Sequence, residues 1–308
     1  MVMRTTWLAG GALLSLALLG GAFPAAAKGW DPLDYTARLS AFGTNDAFPG
    51  SVGSGPDQGV EPSIQLASGR RLSPSTKLAV SASAGGRVEQ QFTRGNYGWL
   101  GLASTLRRNR TTYTLEGQWT PKRNKFPTDP EEGGEFHGAS LTAGLRQALG
   151  ARARARVEWT LDRERFLPQV ASRDLDGQEL FAQSVFSPAK GLDLRGEGSV
   201  SHDQTASRKY TKSTHWLGAG GVWSDSLWRA DLGMRSGVRR YTEAVSGDSN
   251  FKRRDQWIEL RFRLTRGLRP GLAVAAGATL EDQTSSRIDR NFTAGTFTLG
   301  FEWSGGGK

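Results

Sequence analysis

Residues 151–160, "ARARARVEWT", alternate alanine and arginine three times before apolar and acidic residues continue the pattern. In a helix, with about 3.6 residues per turn, the three arginines would spread over more than half of the circumference. In a strand, with its period of two, Arg152, Arg154, Arg156 and Glu158 share one face and the apolar residues share the other. The stretch therefore predicts a β-strand with one charged and one apolar face.

The same alternation recurs at intervals of about 20 residues, always bounded by Gly, Pro, Asn, Asp or Ser. The predicted strands span 33–43, 60–70, 76–91, 97–107, 111–120, 136–148, 152–164, 178–187, 191–203, 212–223, 227–241, 255–266, 271–282 and 291–303. Beyond the N-terminal segment, no helical period of comparable length occurs. The pattern predicts an all-β chain of about fourteen antiparallel strands.

The links between these strands alternate in length. After even-numbered strands they are short, as in "LGAR" at 149–152, and after most odd-numbered strands they are longer and polar, as in "EAVSGDSNFKR" at 243–253. The exception is "TRGN" at 93–96. Such alternation is typical of a transmembrane β-barrel with short periplasmic turns, longer outer loops and both termini in the periplasm. A soluble β-sandwich or a two-sided sheet is the alternative, but its strands are typically about five or six residues long.

The N-terminal segment has the layout of a secretory signal peptide. Arg4 precedes an apolar stretch over 7–23, and Ala25 and Ala27 form a small-x-small cleavage site. We expect a signal peptide at 1–27, a barrel at 28–303 and a short polar tail at 304–308. An uncleaved membrane anchor is the alternative for 1–27. The chain contains no cysteine, so a lipoprotein attachment site is excluded.

The composition fits a barrel in lipid better than a large soluble core. Hydrophobic residues make up 37%, mean hydropathy is −0.47, and Gly numbers 40. Beyond the signal peptide there is no apolar run of the roughly 18 residues that a spanning helix needs. The ten tryptophans and the repeated alternation argue against disorder. Net charge is +10, but the arginines alternate with acidic residues on one face, which favours a mixed lumen wall over a nucleic-acid partner.

Two residue sets follow from this interpretation. Charged residues of inward parity should line the lumen, and these are Arg38, Arg87, Arg146, Arg152, Arg154, Arg156, Glu158, Arg195, Glu197, Arg229, Asp231, Glu259, Arg261, Arg263 and Glu281. Aromatic residues near strand ends should form the girdles at the two membrane interfaces, and these are Trp99, Trp119, Trp159, Trp216, Trp223, Trp228, Trp257, Phe301 and Trp303. The lumen charges either form structural salt-bridge networks or line a path that is selective for anionic solutes.

The closing segment 253–303, "RRDQWIELRFRLTRGLRPGLAVAAGATLEDQTSSRIDRNFTAGTFTLGFEW", resembles the last hairpins of outer-membrane β-barrel porins of Gram-negative bacteria. Some of those porins are associated with exopolysaccharide export. The final strand "GTFTLGFEW" resembles the C-terminal signal that the barrel-assembly machinery recognises, although "SGGGK" follows where an aromatic residue is usually last. The resemblance implies a channel or export pore in the outer membrane, in contact with its lipid. Polysaccharide or another anionic solute is the implied cargo.

Two further functions stay open. One is a non-conducting structural or adhesive barrel whose outer loops bind a partner. The other is an outer-leaflet hydrolase, for which His202 with Asp203, or His137 with Ser140, would be the candidate residues. With three histidines in the chain and no Gly-x-Ser-x-Gly motif, we do not expect an enzyme. We also expect no cofactor, and no metal site, because Cys and His pairs at ligand spacing are lacking.

Overall fold

Fourteen antiparallel strands close into one barrel, as the alternation predicts. The structure, a computed structural model, describes residues 29–47, 56–89, 97–125, 134–166, 174–207, 210–244, 252–286 and 291–306. The predicted signal peptide lies outside the described residues. Among those residues, no helix has the length and apolar character needed to cross a membrane.

The strands are long, and their bounds follow the predicted ones closely. They are β1 (Asp34–Ala47), β2 (Pro56–Ser73), β3 (Thr76–Glu89), β4 (Tyr97–Arg108), β5 (Thr111–Lys125), β6 (Gly134–Ala148), β7 (Ala153–Phe166), β8 (Leu175–Ala189), β9 (Leu192–Thr205), β10 (Lys212–Ser224), β11 (Trp228–Ala244), β12 (Lys252–Arg269), β13 (Leu272–Ser285) and β14 (Phe292–Gly306).

Every strand pairs with its neighbours in the chain, and β1 closes the barrel by pairing with β14. This last pairing runs from Asp34 opposite Gly306 to Ala47 opposite Thr293. β14 continues through Gly306, three residues beyond the predicted end of the last strand. The three extra residues are held by the backbone of β1, which satisfies their peptide groups without any apolar alternation.

Most strands also extend past their predicted bounds at the loop end, the end of the barrel that carries the longer links. Beyond the apolar belt the side chains need not alternate, so the sequence pattern fades while backbone pairing continues. The loop-end links span six to eight residues and the opposite links two to four. The predicted exception, "TRGN" at 93–96, lies outside the described residues.

Three of the four two-residue turns contain a residue with a positive φ. Asn109 has φ 53° in the turn between β4 and β5, and Gly191 has φ 76° in the turn between β8 and β9. Positive φ lets a tight turn match the right-handed twist of the two strands that it joins. These turns define the turn end of the barrel.

The outward face is apolar and exposed. In β7, Val157, Trp159 and Leu161 are exposed while the residues between them are half-buried. Leu217 of β10 is 75% exposed and Phe297 of β14 is 63% exposed. Side chains with this exposure and spacing form the belt that a barrel presents to lipid.

The most deeply buried aromatic side chains lie on the inward face at the loop end. Phe42, Phe136, Phe166, Tyr241 and Phe292 come from five strands and are each 7% exposed or less. They sit beside buried polar residues, among them the ion pair of β12 described below. We call these inward residues the loop-end layer, and they narrow that end of the lumen.

Candidate functional site

Ion pairs that skip a strand identify the concave face of the barrel. Arg154 Nη2 of β7 lies 2.6 Å from Asp193 Oδ2 of β9. Arg195 of β9 donates two hydrogen bonds to the Asp231 carboxylate of β11, at 3.0 and 2.7 Å. Each pair reaches over one intervening strand, which the inward curvature of a barrel permits. The charged residues of inward parity thus lie together on the inner wall of the barrel.

The centre of this wall is a network of paired charges. Glu197 accepts a hydrogen bond from Arg235 Nε at 2.7 Å and another from Gln183 Nε2 at 3.0 Å. Arg156 bonds to Glu158 on its own strand. Because both oxygens of the Glu197 carboxylate accept hydrogen bonds and its side chain is 7% exposed, the network holds its charges in fixed positions. We call the inward residues of β7 to β12 the charged arc.

Aromatic rings are part of the charged arc. The Arg235 guanidinium lies 4.3 Å from the centroid of the Trp216 ring, and the Phe181 ring lies 5.9 Å from it. Trp216 pairs with Ser199 and Gly237, and it alternates with the exposed Leu217, so it faces the lumen. A cation over the face of an indole is an attractive electrostatic contact.

The girdle prediction is therefore wrong for Trp99, Trp216 and Trp257, which face the lumen. Trp99 packs against Gly85 on the inward face, and Trp257 lies opposite Gly237, also inward. All three stand near strand ends, as a girdle residue does, but parity assigns them to the other face. The remaining girdle candidates are of outward parity, and these are Trp119, Trp159, Trp223, Trp228, Phe301 and Trp303.

The register places the predicted lumen residues as follows. Those of inward parity within strands are Arg38, Arg87, Arg146, Arg154, Arg156, Glu158, Arg195, Glu197, Arg229, Asp231, Glu259, Arg261, Arg263 and Glu281. Arg152 is the exception, because it precedes β7 in the turn at 149–152, where its carbonyl accepts the Ser187 N–H at 2.8 Å. Pairing with β8 stops at Ala153, so the alternation of the sequence runs one arginine beyond the strand.

The opposite wall carries fewer charged residues than the charged arc. We call the inward residues of β13, β14 and β1 to β6 the neutral arc. Its central positions carry small or hydroxyl side chains, and these include Ser63, Ser81, Ala103, Thr105, Thr114, Thr279, Thr296 and Thr298. A cavity of 640 Å³ lies between the charged arc and the strands β13 and β14, lined by Arg156, Trp216, Arg263 and three of these threonines.

The positive charge of two lumen arginines, Arg146 and Arg263, is only partly balanced by acidic residues. Arg146 lies directly opposite Arg156, and no ion pair of Arg146 occurs among the described residues. Arg263 is 3.9 Å from Glu302, and its side chain is 54% exposed. The same carboxylate is already bound by Arg38 at 2.6 Å. These cations face the lumen with part of their charge available to a solute.

The loop-end layer contains the most buried ion pair described. Arg253 binds Asp255 through Nε at 3.0 Å and Nη2 at 2.7 Å, and the two side chains are 2% and 0% exposed. Ser285 donates to the same carboxylate at 2.6 Å, and the Tyr241 ring lies 4.4 Å from the guanidinium. Sequence reasoning missed Arg253 because it assigned that residue to a loop. Extending the inward parity of β12 by two residues would have found the pair.

The candidate hydrolase residues do not come together. His202 is of outward parity and exposed, while its neighbour Asp203 is inward. His137 is likewise outward, opposite Arg165, and Ser140 is inward, opposite Gln118. Within the described ranges, no three His, Cys, Asp or Glu side chains are grouped so that they could hold a metal ion. The geometry offers these residues no shared site.

One carboxylate outside the strands has a shifted pKa. Asp225, in the turn between β10 and β11, accepts hydrogen bonds from the backbone N–H groups of Trp228 and Leu227, each at 2.7 Å. These two bonds favour the ionised form and lower the pKa of Asp225 below its ordinary value. The turn is thereby tied to the first residue of β11.

Comparisons with known proteins rest on the fold, since no family model and no curated protein matches the sequence. The chain is similar to a bacterial polysaccharide outer membrane secretin, with a TM-score of 0.52 and 12% identity over 87% of this chain and 97% of that one. It is also similar to the outer membrane channel DcaP of Acinetobacter baumannii, with a TM-score of 0.50 and 12% identity over 91% and 99%. The fold is that of a Gram-negative outer-membrane β-barrel.

A loop-deletion mutant of OmpT, an outer membrane protein of Vibrio cholerae, matches with a TM-score of 0.49 and 9% identity, over 90% of this chain and 100% of that chain. At 12% identity, the likeness to the secretin and to DcaP establishes the fold alone. For this outer-membrane barrel, the exposed apolar belt is the surface in contact with lipid.

Proposed function

We propose that this outer-membrane barrel is a channel or export pore for anionic solutes, small or polymeric, with the long loops outside and both termini in the periplasm. The observation that carries the proposal is a group of four arginines on the charged arc. Arg154, Arg156, Arg261 and Arg263 face the lumen, and the last two side chains remain 44% and 54% exposed. Arginine stays ionised at physiological pH, so these residues would raise the local concentration of anions.

The size of the barrel supports passage of a solute. Fourteen strands about 4.8 Å apart, tilted by about 40°, give a backbone diameter of about 28 Å and a lumen of roughly 10 Å once side chains point inward. A sugar polymer is the solute class that suits the wall best, because Trp216 and Phe181 add apolar ring surface beside the arginines. Amphipathic rings of this kind can contact the apolar faces of a sugar.

The test is ion selectivity in planar bilayers. The refolded protein should conduct and prefer anions in reversal-potential measurements across a salt gradient, and the preference should weaken at high salt because screening shortens to a few ångströms. Changing Arg154, Arg156, Arg261 and Arg263 together to Gln should abolish the preference. The matched control is the pair Arg163→Gln and Arg165→Gln, at the loop end of β7 rather than at the lumen wall.

Two results would contradict the proposal. A cation-selective pore, or an anion preference untouched by the four substitutions, would assign these arginines to structural pairing. Absence of conductance would favour the second candidate, a structural or adhesive barrel. That alternative is favoured by the loop-end layer, whose buried side chains narrow the lumen, and by the paired charges around Glu197.

Assembly supplies a further proposed partner. The outward residues of β14 are Phe297, Leu299, Phe301 and Trp303, and all four are exposed. We infer that this face is available to the barrel-assembly machinery before β14 joins β1. The two strand edges would remain unpaired until that pairing forms.

A further inference from the structure

A row of basic and hydrogen-bonding side chains crosses the outward face of β9 to β12 near the loop end. His202 lies opposite Ser213, Ser213 opposite Arg240, and Arg240 opposite Arg254. His202 Nδ1 is 3.0 Å from Ser213 Oγ. We call these four residues the basic row. On β9 the row stands one outward position beyond Val200, which is part of the exposed apolar belt.

The two arginines of the basic row are directly opposed, which is unfavourable for like charges on adjacent strands. Both are exposed, and in the described part of the chain neither forms an ion pair with an acidic residue. Lys252, the next outward residue of β12, is also exposed and adds a third positive charge. The outward acid of the neighbouring strand, Asp282, lies opposite Ile258, four residues from Arg254, and accepts a hydrogen bond from Thr293 at 2.6 Å.

Basic residues at the loop end of β7 behave differently. Arg163 Nε is 2.9 Å from Asp176, and Arg165 Nη2 is 2.8 Å from the same carboxylate. At the loop end of β7, the Asp176 carboxylate therefore balances the positive charge of both arginines. Among the described residues the basic row has no such partner, so its positive charge is left for a ligand.

An apolar groove of 880 Å³ adjoins the basic row on the outward face. Its floor consists of small outward residues of β8, β9 and β11, among them Ala182, Gly196, Gly198 and Ser236. Its upper rim includes Val238, which is the outward residue just before Arg240 along β11. A cationic site therefore stands at the end of a slot that lies within the lipid-facing belt.

We propose that the basic row binds a phosphate group of an outer-leaflet lipid, and that an acyl chain of the same lipid lies in the groove. A phosphate monoester carries about −1.5 to −2 charges, and arginine forks bind it through paired hydrogen bonds. A lipid matches both features, because its head group lies at the edge of the belt and its chains lie along it. The proposal goes beyond the channel function and shares with it only the orientation of the loop end toward the outside.

The experiment titrates the folded full-length barrel in dodecyl maltoside micelles with bisphosphorylated lipid A and measures occupancy by native mass spectrometry. Changing Arg240 and Arg254 together to Gln should weaken binding at least tenfold. The matched control, Arg163→Gln with Arg165→Gln, removes two basic residues that already have an acidic partner and should change affinity less than twofold. Heat-modifiable gel mobility confirms that each variant is folded, and conductance should be the same for all three proteins.

Two further arms separate lipid from free anion. Lipid A without its phosphates should bind the wild type at least tenfold more weakly than bisphosphorylated lipid A does. Its affinity for the Arg240→Gln, Arg254→Gln variant should equal its affinity for the wild type. Ala182→Leu, which fills the groove floor, should weaken lipid A several-fold without changing the binding of inorganic phosphate. An unchanged affinity of the double variant, or equal binding of the dephosphorylated lipid, would overturn the proposal. Binding of inorganic phosphate as tight as that of lipid A would overturn the lipid assignment.

Discussion

The charged arc and the neutral arc are two halves of one wall that share an apolar outward belt and differ in their inward side chains. Both present exposed apolar residues outward, such as Leu232 on β11 and Leu102 on β4. Inside, the charged arc holds Arg195, Asp231 and Glu197 in fixed pairs, whereas serine, threonine and alanine fill the middle of the neutral arc. The lipid face is thus specified by alternation everywhere, while the inward face is free to carry function on one side.

The largest effect is expected where the charged arc enters the loop-end layer. Replacing Asp255 by Ala leaves the buried Arg253 guanidinium without its carboxylate, and breaking such a buried pair destabilises a protein by about 3–5 kcal/mol. Denaturant unfolding in lipid vesicles measures the loss. The control on the neutral arc is Thr298→Ala, which should change stability by about 0.5 kcal/mol or less. Equal losses in the two variants would contradict the contrast between the arcs.

A smaller and equal effect is expected on the outward face of both arcs. Val157→Arg on β7 and Ala276→Arg on β13 each place a charge in the lipid belt, at about 2–4 kcal/mol near the bilayer midplane. The same unfolding measurement applies. If one of the two substitutions were harmless, the face assigned to that strand would be wrong.

The smallest effect concerns a turn of the charged arc. The pKa of Asp225 is lowered in the folded state, so its hydrogen bonds contribute stability above the unfolded pKa of about 3.9 and lose it as the pH falls through the folded value. Wild type should therefore be more stable than Asp225→Ala at pH 7, and the difference should begin to shrink only below the unfolded pKa and be lost below the folded pKa. Unfolding midpoints at pH 7 and at a series of pH values below the unfolded pKa test this. A difference that stays unchanged down to the lowest of these pH values would show that the carboxylate charge is not its source.

The sequence predicted the fold and most face assignments, because alternation against lipid is a local property of each strand. Arg154, Arg156 and Val157 follow it without exception. The prediction was wrong for Trp216, which was assigned to the girdle from its place near a strand end without regard to the face on which it lies. The sequence also missed the pair of Arg253 and Asp255, because the backbone pairing of β12 continues beyond the alternating pattern. The partners of Glu197 could not be predicted from the sequence, since they depend on which strands the curvature of the barrel brings together.

The seam between β1 and β14 has a consequence for how the molecule forms. All other strand pairs join neighbours along the chain, but Arg38 and Glu302 meet across a separation of 264 residues. Thirteen hairpin pairings can arise locally and early, whereas this single non-local step must wait for the whole chain, and contacts of such long separation are slow to form. Until then the chain is an open sheet, and lipid cannot hydrogen-bond the backbone groups at its two edges. Pairing of β1 with β14 is therefore the last step, after which all strands can lie stably in the membrane.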